Sequence, residues 1–143
     1  MAYIENVRMR DIPQMVVVQD ACFHEKTPQI FEKELASTAI KYWCAKEDDE
    51  VVGYICISMI EDEAELHSIA VHPAHQNKGI GQQLLTHALH FAQKNHAKKM
   101  FLEVCEDNFI AQRLYKANGF LHKYTRKNYY GTKDAYILEK TFV

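Results

Sequence analysis

The sequence predicts a single α/β domain built on one mixed sheet. Strand-type apolar runs alternate with amphipathic helical stretches along the whole chain. No repeat, low-complexity stretch or linker interrupts the 143 residues. A chain of that length fits one domain, which buries ~68–70% of the surface its unfolded form exposes.

Tyr3 to Arg8 alternates as a short strand. Asp11 followed by Pro13 marks a helix start, since a capping carboxylate precedes a residue whose missing N–H costs nothing in a first turn; this helix runs through Cys22. Thr27-Pro28 repeats the signal ahead of a second short helix with Ile30, Phe31, Glu34 and Leu35. Lys41 to Lys46 and Val51 to Ile60 flank the polar turn Glu47-Asp48-Asp49-Glu50 and read as an antiparallel hairpin. Ala64 to Val71 is another strand, ended by His72-Pro73. From Gly79 to about Asn95 a helix is predicted, because Ile80, Leu84, Leu85, Ala88, Phe91 and Ala92 form one apolar stripe. Met100 to Cys105 reads as a strand and Asn108 to Asn118 as a helix stopped by Gly119. Phe120 to Tyr124 and Ala135 to Lys140 are two closing strands.

Composition narrows the partners. The formal net charge of -2 supplies no global field for nucleic acid or an anionic membrane, so neither is expected as a direct partner. The first residues lack a signal-peptide apolar run and no stretch approaches ~20 apolar residues, which points to a cytoplasmic protein. Cys22, Cys44, Cys56 and Cys105 sit in apolar segments without a C-x-x-C pairing and are expected as buried reduced thiols. His72/His75 and His87/His90 are spaced i, i+3 but have no neighbouring ligands at a recognised spacing, so no metal is expected.

The segment Gln76-Asn77-Lys78-Gly79-Ile80-Gly81-Gln82 follows a strand and opens the long helix. Such a turn presents unpaired backbone N–H groups and the positive end of a helix dipole to one point, which suits phosphate. A Cβ at either glycine would hold a pyrophosphate off the backbone. It is neither a Walker loop, because Gln82 follows Gly81, nor a dinucleotide fingerprint, because Leu84 stands where the third glycine belongs.

The stretch IAVHPAHQNKGIGQQLL resembles the R/Q-x-x-G-x-G/A motif of the Gcn5-related N-acetyltransferase family, and LEVCEDNFIAQRLYKANGF is similar to its later strand–helix unit. RKNYY followed by KDAYIL resembles the branch that acetylates ribosomal-protein N-terminal alanines. The likeness covers roughly residues 50 to 140. It implies a largely antiparallel central sheet flanked by helices and acetyl-coenzyme A as cosubstrate. It also implies a protein N-terminus as acceptor, on a small-subunit ribosomal protein, and a monomer or weak dimer. By the same resemblance Ile69, Ala70 and Val71 pair with the pantetheine arm, and Gln76, Asn77, Lys78, Gly79, Ile80, Gly81 and Gln82 hold the pyrophosphate. Asn108 contacts the arm, Glu103 is the general base and Tyr115 the general acid. Asn77 departs from a common Arg, His67 from a frequent aromatic, and CFHEKTPQIF from a Pro-Trp-Ser type segment.

The chemistry also reads from the residues. Acetyl transfer from a thioester needs a neutral amine, a stabilised oxyanion and a protonated leaving thiolate. Glu103 is the lone carboxylate of an apolar strand, where burial is expected to raise its pKa. His67 is the rival base and alternates with Ile69 and Val71 toward the same cleft. Tyr115 stands at the boundary of its helix. Two alternatives remain open: an acetyltransferase for lysine, a polyamine or another small molecule, which the acidic run Glu61-Asp62-Glu63 with Glu65 permits, and a non-catalytic coenzyme-A-binding module.

Overall fold

The period-two runs become strands and the period-3.6 runs become helices in the order read from the chain, in a computed structural model that describes residues 2–22 and 27–143. The elements are β1 (Tyr3–Asn6), α1 (Ile12–Cys22), α2 (Pro28–Leu35), β2 (Ile40–Glu47), β3 (Glu50–Ile60), β4 (Glu63–Val71), α3 (Ile80–Lys94), β5 (Lys99–Cys105), α4 (Phe109–Ala117), β6 (Leu121–Tyr130) and β7 (Lys133–Thr141). They form a seven-stranded sheet in the order β1-β2-β3-β4-β5-β7-β6. Every neighbouring pair is antiparallel except β4 with β5, which α3 connects.

The sheet is covered on both faces. On one, Ala64, Leu66, Met100, Leu102 and Val104 meet Leu84, Leu85, Ala88 and Ala92 of α3 and Tyr115 of α4. On the other, Tyr42, Cys44, Val51, Tyr54 and Ala70 meet Ile12, Met15 and Val18 of α1 and Phe31 of α2. Phe31 packs edge-on against Tyr42 and Tyr54, each with ring centroids 5.8 Å away.

Caps decide the helix starts. Thr27 Oγ1 accepts from the Ile30 N–H, as Thr27-Pro28 predicts. Asp11 acts differently from its predicted cap on the first helix: its carboxylate accepts from the Arg8 N–H at 2.8 Å and pairs with Lys46 at 3.0 Å. Lys46 also meets Glu5 at 2.6 Å, and these contacts raise its pKa, the Glu5 hydrogen bond most. The ammonium thus stands beside Glu5, Asp11 and Cys44, the grouping of possible metal donors among the described residues.

Several expectations change. Cys44 and Cys56 are buried and Cys105 half-buried, but Cys22 is exposed at the end of α1. β6 runs to Tyr130, so Arg126 to Tyr130 lie in an exposed edge strand rather than in a loop between the last two strands. Residues 23–26 of the divergent segment that begins at Cys22 lie outside the described residues.

Candidate active site

Two strands part at the centre of the sheet. β4 and β5 pair only at Glu63↔Lys99, Ala64↔Met100 and Glu65↔Phe101, after which each continues without the other. From Leu66 to Val71 and from Leu102 to Cys105 the facing edges carry no mutual ladder, and an extended chain can enter there by backbone hydrogen bonds. Ile69 and Ala70 lie on the β4 lip. The Val71 carbonyl is already taken, by Gln76 Nε2 at 2.9 Å and Cys22 Sγ at 3.3 Å.

The glycine turn stands at the end of that lip. Gly79 is the N-cap of α3 with φ 81°, in the left-handed region, and a Cβ there would meet nothing within 4 Å. Asn77 also takes a positive φ, 64°. A Cβ on Gly81 would meet only Leu114 Cδ2, at 3.8 Å. The first N–H groups of α3 therefore face a roomy cradle at a helix N-terminus, which fits a pyrophosphate. Glu47, at the end of β2, braces the turn: Oε2 lies 2.9 Å from His75 Nδ1 and 3.6 Å from Lys78 Nζ. The side chain of Gln82 is exposed and bonds Asn118 and Thr86, so on this turn only its backbone N–H is left to face the cradle.

Glu103 differs from the expected buried base. Its neighbours Leu102 and Val104 enter the core under α3, so Glu103 faces the α1/α2 side, where it is 32% exposed and 3.6 Å from Arg126 Nη1. β5 is internal within the sheet, but the Glu103 face of it is open to water. His67 occupies a β-bulge: Cys56 pairs with Ser68 and Ile57 with Leu66, leaving His67 without a cross-strand partner. The bulge reverses the alternation after it. Ile69 and Val71 pack toward the α3 face, while His67 shares the α1/α2 face with Glu65 and Ser58. Its Nδ1 is 3.3 Å from Glu65 Oε2 and its Nε2 2.7 Å from Ser58 Oγ. Extending the last paired register by two residues sets His67 opposite Glu103, one on each lip.

Tyr115 is buried, its ring edge-on to Phe120 at 5.8 Å. Burial pushes its phenol up to about 12, so it is a neutral donor across the physiological range. Asn108 caps α4, its Oδ1 accepting from the Ala111 N–H at 3.2 Å, which leaves the NH₂ for other use. Linear sequence carried no signal for Ser58 or Glu47 at this site, because each arrives from another strand, and it marked Arg126 and Glu65 only within the RKNYY stretch and the acidic run.

Residues 4–120 match the Acetyltransferase (GNAT) family, which spans the split, the glycine turn and α4. The chain belongs to that family and is an acetyl-transferring enzyme. It is 38% identical over 119 residues to the N-alpha-acetyltransferase RimI of Mycobacterium tuberculosis, covering 79% of this chain and 73% of that one. It is 30% identical over 141 residues to a putative [ribosomal protein bS18]-alanine N-acetyltransferase of Bacillus subtilis, covering 96% and 93%. The crystal structure of the ribosomal-protein-S18-alanine N-acetyltransferase from Escherichia coli superposes with a TM-score of 0.90 at 25% identity, over 99% of this chain and 94% of that one. No helix among the described residues is long and apolar enough to cross a membrane.

Proposed function

We propose that this enzyme moves the acetyl group of acetyl-coenzyme A to the α-amine of a protein N-terminus, alanine first, on a small-subunit ribosomal protein. The observation that carries this reading is the placement of an accessible carboxylate, Glu103, on the lip of the β4–β5 split, on the face where Arg126 joins it from β6. The pyrophosphate lies in the turn from Gln76 to Gln82, and the pantetheine arm runs along Ile69, Ala70 and Val71, with Asn108 beside it. A relative in Bacillus subtilis and one in Haemophilus ducreyi carry names for acetylation of the alanine of ribosomal protein bS18, which supports the acceptor class.

Between ammonium and amide the attacking nitrogen loses two protons. Glu103 takes one, directly or through water, as the ammonium becomes the attacking amine; the other passes to solvent as the tetrahedral adduct collapses, and Tyr115 protonates the departing thiolate and is reprotonated from solvent. The α-amine suits a single exposed carboxylate, since its pKa of ~7.7–8.0 against ~10.4 for lysine leaves it neutral some hundreds of times more often. The aromatic run Tyr129-Tyr130 at the end of β6 pins the extended peptide. A polyamine acceptor finds less support, because in the acidic run Asp62 pairs with Lys98 and Glu63 with Lys99.

The test is competition between two otherwise identical peptides. One has a free N-terminal alanine and a blocked lysine, the other a blocked terminus and a free lysine. Mass spectrometry should find the first acetylated preferentially; preference for the lysine peptide, or for spermidine over both, would overturn the acceptor assignment.

A further inference from the structure

Arg126 reaches Glu103 across an intervening strand. On β6 it stands opposite Ala135 of β7, which in turn stands opposite Cys105 of β5, while Glu103 stands opposite Ile137. Ala135 is buried and its side chain ends at Cβ, so it leaves room for a long side chain to pass over β7. The guanidinium ends 3.6 Å from Glu103 Oε1, and its carbon lies 5.4 Å from the centroid of the Tyr129 ring. Among the described residues no other cation comes within ion-pair distance of Glu103.

Two properties of this pair matter. Both members touch water, Arg126 at 45% exposed and Glu103 at 32%, and an exposed pair of this kind is cheap to break. The cation also already holds other partners, since it donates a hydrogen bond to Tyr124 and lies over the Tyr129 ring, whose quadrupole attracts a guanidinium. Arg126 can therefore leave Glu103 without being stranded.

Resting on the reading of Glu103 as the base, we propose that Arg126 is a place-holder for the acceptor's ammonium. In the free enzyme the guanidinium neutralises the carboxylate on the lip of the split. The incoming α-ammonium carries the same charge and competes for the same oxygens, and Arg126 releases Glu103 while keeping its contact with Tyr129. Acetylation converts the ammonium to a neutral amide, which has no charge to hold against the guanidinium. Arg126 then reclaims Glu103 and the product loses its anchor. A positioning residue of this kind favours a free terminus over one that is already acetylated.

Calorimetric binding of a free N-terminal alanine peptide to the enzyme saturated with coenzyme A tests this in Arg126→Gln, Arg126→Lys and Glu103→Gln, alone and combined. Removing the competitor should tighten peptide binding about two- to fivefold in Arg126→Gln, the range that an exposed ion pair commands. Arg126→Lys should restore the original affinity, and the gain should vanish in the Glu103→Gln background. Weaker peptide binding in Arg126→Gln would mean that Arg126 holds the acceptor itself, and unchanged binding that it does not compete; either overturns the proposal. Turnover of Glu103→Gln is read separately: full activity there would sink the assignment of the base, whatever Arg126→Gln does to peptide affinity.

Discussion

Gln82 and Asn118 exchange two amide hydrogen bonds, of 2.8 and 2.9 Å, and so tie the first turn of α3 to the C-terminal cap of α4. Asn118 Nδ2 also donates to the Leu114 carbonyl at 2.8 Å. The helix whose N-terminus faces the phosphate cradle is thereby fixed relative to the helix that carries Tyr115. Asn118→Ala should cost about 1–2 kcal/mol in urea unfolding, a modest loss because the pair is exposed. Coenzyme A affinity should fall a few-fold in the same variant, which calorimetry checks.

Gly81→Val should separate binding from folding. The new side chain would start 3.8 Å from Leu114, an ordinary contact, and a β-branched residue is no worse in a helix than glycine. Its thermal midpoint should stay within a few degrees of the parent. Coenzyme A affinity should fall at least tenfold, since the branch fills the space above the helix N-terminus. Gly79→Ala should behave differently, losing about 1 kcal/mol of stability, because the φ of 81° at that cap is strained for any residue with a Cβ.

Tyr115→Phe should slow turnover by roughly 10²-fold while leaving coenzyme A affinity in place. It should also change the alkaline stability profile. The phenol titrates near ~10 when unfolded and at about 12 when folded, so between those values the folded state binds more protons. The stability this represents is complete below pH ~10 and is lost as the pH rises toward 12. Unfolding measured across that window should show a smaller loss in Tyr115→Phe than in the parent, the remainder coming from Tyr42, Cys44 and Lys46, whose pKa values the fold also raises.

Local rules made much of the architecture legible. The start of α2 at Thr27-Pro28, the long apolar stripe of α3 and the glycine turn before it depend on neighbours within a few residues, and the structure has each in place. What escaped depends on partners far along the chain. The bulge at His67 is a mismatch between β3 and β4, and by reversing the alternation it moved Ile69 and Val71 to the other face. Glu103 lies in an internal strand, yet its exposure is set by what covers that strand on the α1/α2 side. Tyr115 went the opposite way, from an expected boundary position to full burial against Phe120. The length of β6 was hidden because an edge strand with little buried surface has no clean alternation to display.

The seam between β4 and β5 also divides the chain in time. Strands β1 to β4 come entirely from residues before position 72, and β5 to β7 entirely from residues after 98, with no strand exchanged between the two groups. During synthesis the first four strands, with α1 and α2, therefore emerge as one contiguous slab before the last three are made, its α3 face still uncovered. The slab already holds one lip of the split and, once α3 has followed, the whole glycine turn. Glu103, Tyr115 and Arg126 all arrive with the second group. On the reading proposed above, the residues of the phosphate turn are thus all made before any residue proposed for proton transfer, which arrives with the last three strands and α4.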